Sequence, residues 1–531
     1  MKKIVLALLL IAVVASCKTE RKTAVERKLD EYALVKIPAP DLSGISDNGK
    51  EVLNLYKFAA DQVDSIYWRQ AFGDRSLMDG LGDARLRAYA MINYGPWDRL
   101  DGKPFIEEYG ERPLGANFYP AGMTREEFDA CPDSLKTSPY TMIERDSVGN
   151  LRAVWYHEKF ASNIEKIGNY LKAAADITIK PSVRNYLLKK IDALKTDSYY
   201  ESDLAWLEMA DSKMDLVLGP NEVNDDQLYG LKASYDAYVL LKDLKRTEEL
   251  GKFSSMLPDL QRMLPVEDAF KAFVPGTESN IFACDEIYAG GHANAGIKLI
   301  ALNLPYDPRV QAERGTRTIL LGNVMREKFN RLVSPTGDVV LSADQLSRLD
   351  VDAFYWNIAF REIAHGLGVK ETLDGKNVSE ALGNKAPAWE DMKANIVGLY
   401  LVCKLLDAHK IPSLIVKEDA LTTFVVNLIR SERFGQGEAL GRAYIMMYNY
   451  LYEKGAFKRG ESGKYAIDYA KMLSAVETFA QTLLKVQATG DYAAASDFEK
   501  KYGTLSDTFR ADLVNLRLEK IPVDIQFQFE K

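Results

Sequence analysis

From about residue 346 to 515 apolar side chains recur at three- and four-residue intervals almost without a break, which is the period of helices that bury one face. That stretch commits the second half of the chain to helix packed on helix. Upstream the pattern is mixed. Residues 45–75 and 155–250 carry apolar residues at helical spacing, as in "NYLKAAADI" and "YGLKASYDAYVLLKDL", and read as amphipathic helices. Residues 92–155 are rich in Gly, Pro and aromatics around a strand-like "LRAVWY", which predicts loops and a small sheet. From 250 to 345 the pattern mixes again, with "GIKLIALNLP" as a strand ending in a proline turn, and the tail "IPVDIQFQF" alternates like a strand. No internal repeat and no low-complexity segment is visible. The fold class expected is α+β, mainly helical.

At 531 residues the chain is long enough for two domains or two lobes, and with 47% hydrophobic against 27% charged residues it is globular. A net charge of −8 without a long basic run argues against nucleic acid as a partner.

The N-terminus is more specific. Lys2 and Lys3 precede an apolar run at 4–14, too short for a confident membrane span, and Val14-Ala15-Ser16-Cys17 ends it. This resembles a bacterial lipobox, with cleavage before Cys17 and lipid on its sulfur; the alternative is an ordinary signal peptide with a chance cysteine. Residues 18–40 follow as a tether, opening with the charged "KTERKTAVERKLD". The remaining cysteines, Cys131, Cys284 and Cys403, are far apart and odd in number, so they form neither a disulfide framework nor a C-x-x-C metal site and are expected as buried thiols.

Within the helical half, "AFREIAHGLG" at 359–368 is one residue away from H-E-x-x-H. On a helix, positions i and i+4 share a face, so two imidazoles can grip one metal while the intervening Glu meets the bound water. His365 is then the second grip and Glu362 the base. Phe354, Ile358, Arg361 and His365 follow one inward-facing stripe. A third ligand is expected from a later helix, and "APAWEDMKANIVGLYLVCKLL" opens with Glu390 and Asp391. Paired acids in a first helical turn also arise from dipole stabilisation, so both readings of them stand.

The run "REIAHGLGVKETLDGKNVSEALGNKAPAWEDMKANIVGLYLV" resembles the shorter branch of the dipeptidyl peptidase III family of zinc metallopeptidases, whose pattern is H-E-x-x-H-G-[IL]-G followed by E-E-x-[KR]-A-[DE]. "NYGPWDRLDGKPF", "GANFYPAGMTREEF", "GPNEVNDDQLYGLKASYDAYV" and "NAGIKLIALNLPYD" look like the same branch, so the match runs from about residue 85 to the C-terminus. The resemblance implies two lobes with a peptide cleft between them and the metal helix on one wall. Residues 41–245, with a return segment at about 285–330, would form a mixed lobe; 246–284 and 331–531 would form the helical one.

Carried over position by position, the resemblance puts Arg361 where the family has its first zinc-binding His, and keeps Glu362 and His365. Asp391 stands for the family's Glu ligand, Glu390 precedes it as expected, and Asn395 replaces the acid that closes the second motif. The family's E-x-Y becomes Glu222-Val223-Asn224, so Asn224 replaces a Tyr implied to stabilise the transition state. The family's N-x-P-N, implied to hold the substrate's amino end, becomes Asn303-Leu304-Pro305-Tyr306.

Arg cannot ligate zinc: its guanidinium stays protonated, has no lone pair to give, and puts positive charge where a dication would sit. Asp391 is one methylene short of Glu. Together these changes predict a guanidinium in the metal's place, bridging Asp391, Glu390 or Glu362. Losing the Tyr at Asn224 removes an oxyanion donor, an effect of about 10²- to 10³-fold in rate. Of the other histidines, His292 lies in a segment near the expected cleft, His409 reads as a helix C-terminal residue and His157 has no partner at metal spacing. Trp97 and Tyr119 fit a cleft wall or a core equally.

The function expected is that of a lipid-anchored cell-envelope protein, periplasmic or on the outer membrane, that binds peptides in an inherited cleft with zinc catalysis lost or strongly weakened. Glu222, Asn303 and Tyr306 would hold the peptide. The alternative is an active zinc-dependent exopeptidase that releases dipeptides, or a hydrolase in which Glu380 or Asp391 orients His365 as a base.

Overall fold

The computed structural model describes residues 24–38, 40–209, 211–272, 280–435 and 439–529. Cys17 and the segment around it lie outside the described residues. No helix among the described residues is long and apolar enough to cross a membrane.

The helical half is built as its periodicity predicts. The helices Val351–His365, Ala386–Asp407, Lys417–Ser431, Ala439–Glu453, Tyr469–Thr489, Tyr492–Tyr502 and Asp507–Leu518 are interrupted by the hairpin Phe457–Arg459 and Tyr465–Ile467. Val351–His365 and Ala386–Asp407 lie at the centre. Ten residues of the first and sixteen of the second are buried, so both read as nearly continuous apolar runs.

Upstream, Asp47–Ala71, Ala161–Ile177 and Pro181–Thr196 are the expected amphipathic helices. The segment "YGLKASYDAYVLLKDL" is a correction. It forms the strand Ser234–Lys242, buried at every position, in a five-stranded sheet ordered Met214–Glu222, Ser234–Lys242, Asn280–Gly291, Arg317–Leu321, Ala301–Leu304. Such a strand is covered on both faces and loses the period-two alternation that would mark it. Tyr235, Tyr238 and Val239, aromatic and β-branched, were the remaining signal.

"GIKLIALNLP" is a strand only from Ala301 to Leu304. Lys298 is outside the ladder because its backbone N–H donates to Asp524 Oδ2 at 2.8 Å and its carbonyl accepts from Lys328 Nζ, while its buried ammonium pairs with Glu286 at 2.9 Å and donates to the Ala293 carbonyl at 3.0 Å. The small sheet expected near 92–155 is the hairpin Thr141–Arg145 and Leu151–Trp155. The tail strand Asp524–Gln528 pairs in parallel with Tyr32–Lys36, tying the first and last strands among the described residues together.

Two large apolar cores result. One gathers Leu250 through Leu516, including the two central helices; the other gathers Val35 through Leu332, with Ile525 and Phe527 from the tail strand. This is a two-lobed α+β arrangement. Buried charge joins the lobes: Asp524, fully enclosed, pairs with Lys328 at 2.8 Å and stands 3.5 Å from Arg430.

Candidate active site

The helix Val351–His365 begins at Asp350, whose carboxylate accepts from the backbone N–H groups of Asp352 at 2.7 Å and Ala353 at 3.0 Å. Its far end is closed by Lys393 of the neighbouring helix, whose Nζ donates to the carbonyls of Ala364 at 2.7 Å and Leu367 at 3.0 Å. The two helices approach closely because residue 398 is glycine. A Cβ there would stand 2.8 Å from both the Phe360 carbonyl carbon and the Arg361 nitrogen. The stripe expected on this helix runs from Phe354 and Ile358, deep in the core, to Arg361 and His365 at its edge.

Arg361 lies where the motif would place a metal ligand. Its Nη1 donates to Glu362 Oε1 at 2.6 Å and its Nη2 to Asp391 Oδ1 at 3.3 Å. The three side chains are only 16%, 11% and 19% exposed. Burial pulls the guanidinium pKa down, but Glu362, Tyr444 and Asp391 raise it above its ordinary value. The positive charge is therefore fixed. Burial in turn pushes the Asp391 carboxyl up, and Arg361 and His365 pull it back.

His365 is held by Glu390, with Nδ1 and Oε1 3.0 Å apart. The other oxygen of Glu390 accepts from Gln487 Nε2 at 3.0 Å, and Lys393 pairs with the same carboxylate at 2.8 Å. Against burial, which raises it, Lys393 and His365 hold the Glu390 carboxyl down to about 2. Glu380 was a candidate for orienting His365; instead it is exposed in the short helix Val378–Leu382, and Glu390 does that work. Asn395 turns back along its own helix and donates to the Asp391 carbonyl at 2.8 Å. Lys393 and Gln487 gave no motif signal, the latter being 97 residues from Glu390.

The other predicted residues lie on or just after the two edge strands of the five-stranded sheet, Met214–Glu222 and Ala301–Leu304. Glu222 is buried and accepts from the Asn224 backbone N–H at 2.7 Å, while Asn224 itself is exposed. His292 stands 3.8 Å from Glu222 and 3.9 Å from Asp225, as a neighbour of two carboxylates rather than one of a ligand set. Asn303 is exposed on its strand. Tyr306 is half-exposed, its hydroxyl pushed up to about 12 by burial and by Glu222 and Asp236. Burial, with Glu222 nearby, pushes Asp236 up to about 8.

Two acids that sequence reasoning passed over hold this loop. Asp225 accepts from Tyr67 Oη at 2.6 Å, Arg99 at 3.0 Å, Arg112 at 3.1 Å and Ser234 Oγ at 3.0 Å. Asp226 accepts from Tyr119 Oη at 2.6 Å and from the backbone N–H groups of Leu231 at 2.9 Å and Lys232 at 3.1 Å. Tyr119 is thus core, and so is Trp97, whose indole donates to the Gly110 carbonyl at 2.8 Å. The remaining histidines are elsewhere: His157 bonds Asp197 at 2.8 Å, and His409 follows the helix Ala386–Asp407 in a left-handed conformation.

The donor set at Arg361 does not suit zinc. A fixed cation occupies the first position, Asp391 and Glu362 are committed to it, and His365 alone offers an imidazole nitrogen. Among the described residues no group of three or more His, Cys, Asp or Glu is arranged to hold a metal ion.

No family model matches the sequence. Among solved structures, dipeptidyl peptidase III from Caldithrix abyssi superposes with a TM-score of 0.89 at 31% identity, over 95% of this chain and 98% of that one. Dipeptidyl peptidase III from Corallococcus sp. strain EGB gives 0.81 at 30% identity, over 95% and 96%. A curated protein of Arabidopsis thaliana, Nudix hydrolase 3, is 30% identical over 96% of this chain and 74% of its own length. About a quarter of that protein lies outside the match, so its name is not carried to this chain.

Proposed function

This chain belongs to the dipeptidyl peptidase III family, and on that premise we propose that it is a lipid-anchored cell-envelope protein that binds peptides and has lost zinc-dependent hydrolysis. The family is zinc-dependent and its fold is that of a peptidase-like hydrolase. One observation carries the loss: the Arg361 guanidinium stands in the first-ligand position and is bonded to Glu362 and Asp391. An ion pair among these side chains substitutes for a metal in holding the two helices together, without supplying a polarised water.

Peptide binding is supported by the family's substrates and by polar residues on the two edge strands of the sheet. Glu222 offers a buried carboxylate for an ammonium group, with Asn303 and Tyr306 as exposed polar side chains for a peptide backbone. Calorimetric titration of the chain with tetra- and pentapeptides, alongside mass spectrometry of the mixtures, tests the proposal. Binding without dipeptide release, weakened at least tenfold by Glu222→Gln, supports it; dipeptide release sinks it.

A second reading is a hydrolase without the family's metal. It is favoured by Glu390, which holds His365 through Nδ1 in the way that a carboxylate orients a general base. Under that reading peptide cleavage would persist in chelator and vanish in His365→Ala.

A further inference from the structure

The short helix Ala24–Leu29 and the strand Tyr32–Lys36 are where the described chain begins, and the tail strand Asp524–Gln528 lies beside them. Two grooves flank the turn that leads into that tail strand. The first is lined by Leu29, Tyr32, Leu34, Ala88, Arg85 and Lys520, with Asp30. The second is lined by Arg433, Arg510, Arg517, Leu513, Val514 and Val523, with Glu432. The helix Asp507–Leu518 and the turn after it connect the two, since Val514 and Arg517 line one and Lys520 the other.

Large apolar side chains stand in water here: Leu34 is 55% exposed, Val514 53% and Leu518 71%. The two grooves are lined by five basic side chains and two acids, on a chain whose net charge is −8. Arg85 is paired with Glu26 and stands 3.5 Å from Asp83, so the basic character of the face lies with Arg510, Arg517 and Lys520. Asp507 and Glu519 flank this face, and Arg510 reaches Asp507 at 3.8 Å. Arg433 braces the turn from within, donating to the carbonyls of Ile521 and Pro522 at 2.7 Å.

We propose that this face, centred on Leu34, Val514, Leu518, Arg510, Arg517 and Lys520, docks against the anionic surface of the membrane to which the chain is anchored. The inference rests on the lipid-anchor reading of Cys17. Only six residues, 18–23, separate Cys17 from Ala24. Fully extended they reach about 25 Å, so an anchored chain holds the Ala24–Leu29 end of the protein near the headgroups. Basic side chains within a Debye length of an anionic leaflet are attracted to it, and exposed leucines beside them gain by leaving water at the interface. An acidic chain without such a patch would be repelled from the same surface.

The test uses the full lipidated chain in vesicles of phosphatidylglycerol and phosphatidylcholine that contain a headgroup nitroxide. Fluorescent labels are placed at Leu34→Cys or Leu518→Cys, and for comparison at Val148→Cys or Leu414→Cys, exposed positions that line neither groove. Docking predicts at least twofold stronger quenching at 34 and 518. It also predicts that the triple variant Arg510→Glu, Arg517→Glu, Lys520→Glu still floats with the vesicles but loses that difference. Hydrogen exchange on the unmodified chain should slow over 507–520 on anchoring. Flotation with equal quenching and unchanged exchange overturns the docking while leaving the anchor intact. Failure to float overturns the anchor reading and the docking with it. Protection of this face in native envelopes alone, absent from protein-free vesicles, assigns it to a protein partner and overturns the proposal.

Discussion

Arg361 and Asp391, thirty residues apart in sequence, meet across the two central helices with Nη2 donating to Oδ1 at 3.3 Å. The same guanidinium holds Glu362, so one side chain neutralises two carboxylates that are both mostly buried. Removing it leaves both charges unpaired.

Arg361→Leu is therefore expected to destabilise the protein by about 3–5 kcal/mol, the range for removing one partner of a buried ion pair. Urea unfolding measures it. A further change of Asp391 to Asn should recover part of the loss, because the penalty is that of the abandoned carboxylate and not of the missing pair. Equal stability of wild type and Arg361→Leu would show that the guanidinium is not holding these helices.

Glu390 predicts an acid-side dependence. Its carboxyl is held down to about 2 from an ordinary 4.5, so its charged form is favoured by folding. The stability it contributes is present above about pH 4.5 and is lost as pH falls through about 2. The difference in unfolding free energy between wild type and Glu390→Gln should be constant from pH 5 upward and shrink on acidification. A difference that grows toward low pH contradicts the assignment.

Asp236 predicts the opposite slope. Buried and raised to about 8 from 3.8, it favours its protonated form in the fold, so stability falls as pH rises between those values. Asn can accept the same 2.6 Å hydrogen bond from Asn221 without carrying a charge. Asp236→Asn should match wild type near pH 4 and become progressively more stable toward pH 8, levelling off above it. Thermal midpoints across that range decide the matter.

Cys284 and Cys403 are buried and burial raises both thiols, Cys403 to about 12. Neither should react with a thiol reagent at pH 8 until the chain unfolds. Fast labelling of either in the native protein would mean that the corresponding core opens locally.

Much of this was legible in the chain because helical period and an i, i+4 motif are local properties. "REIAH" and "PAWEDMKANI" placed Arg361, Glu362, His365, Glu390 and Asp391 on two helices, and the guanidinium bridge was expected once the family resemblance put Arg361 at a ligand position; of the three partners offered, Glu362 and Asp391 take it, while Glu390 holds His365. What could not be read depends on contacts distant in sequence. Gln487 reaches Glu390 from another helix, and Asp225 gathers Tyr67, Arg99 and Arg112 from two earlier segments. The strand Ser234–Lys242 was read as helix because enclosure on both faces erased its alternation. Trp97 and Tyr119, ambiguous as residue types, were settled by the carbonyl and the carboxylate that accept their hydrogen bonds.

The central claim is that Arg361 excludes the family's zinc, and elemental analysis of the purified chain beside an Arg361→His variant tests it most directly. Exclusion by the guanidinium predicts a wild type without stoichiometric zinc and a variant that takes up metal, since an imidazole at that position would stand with His365 and Asp391 as a ligand set. About one zinc per chain in the wild type would contradict it, and would mean that the guanidinium leaves its carboxylates to admit the metal.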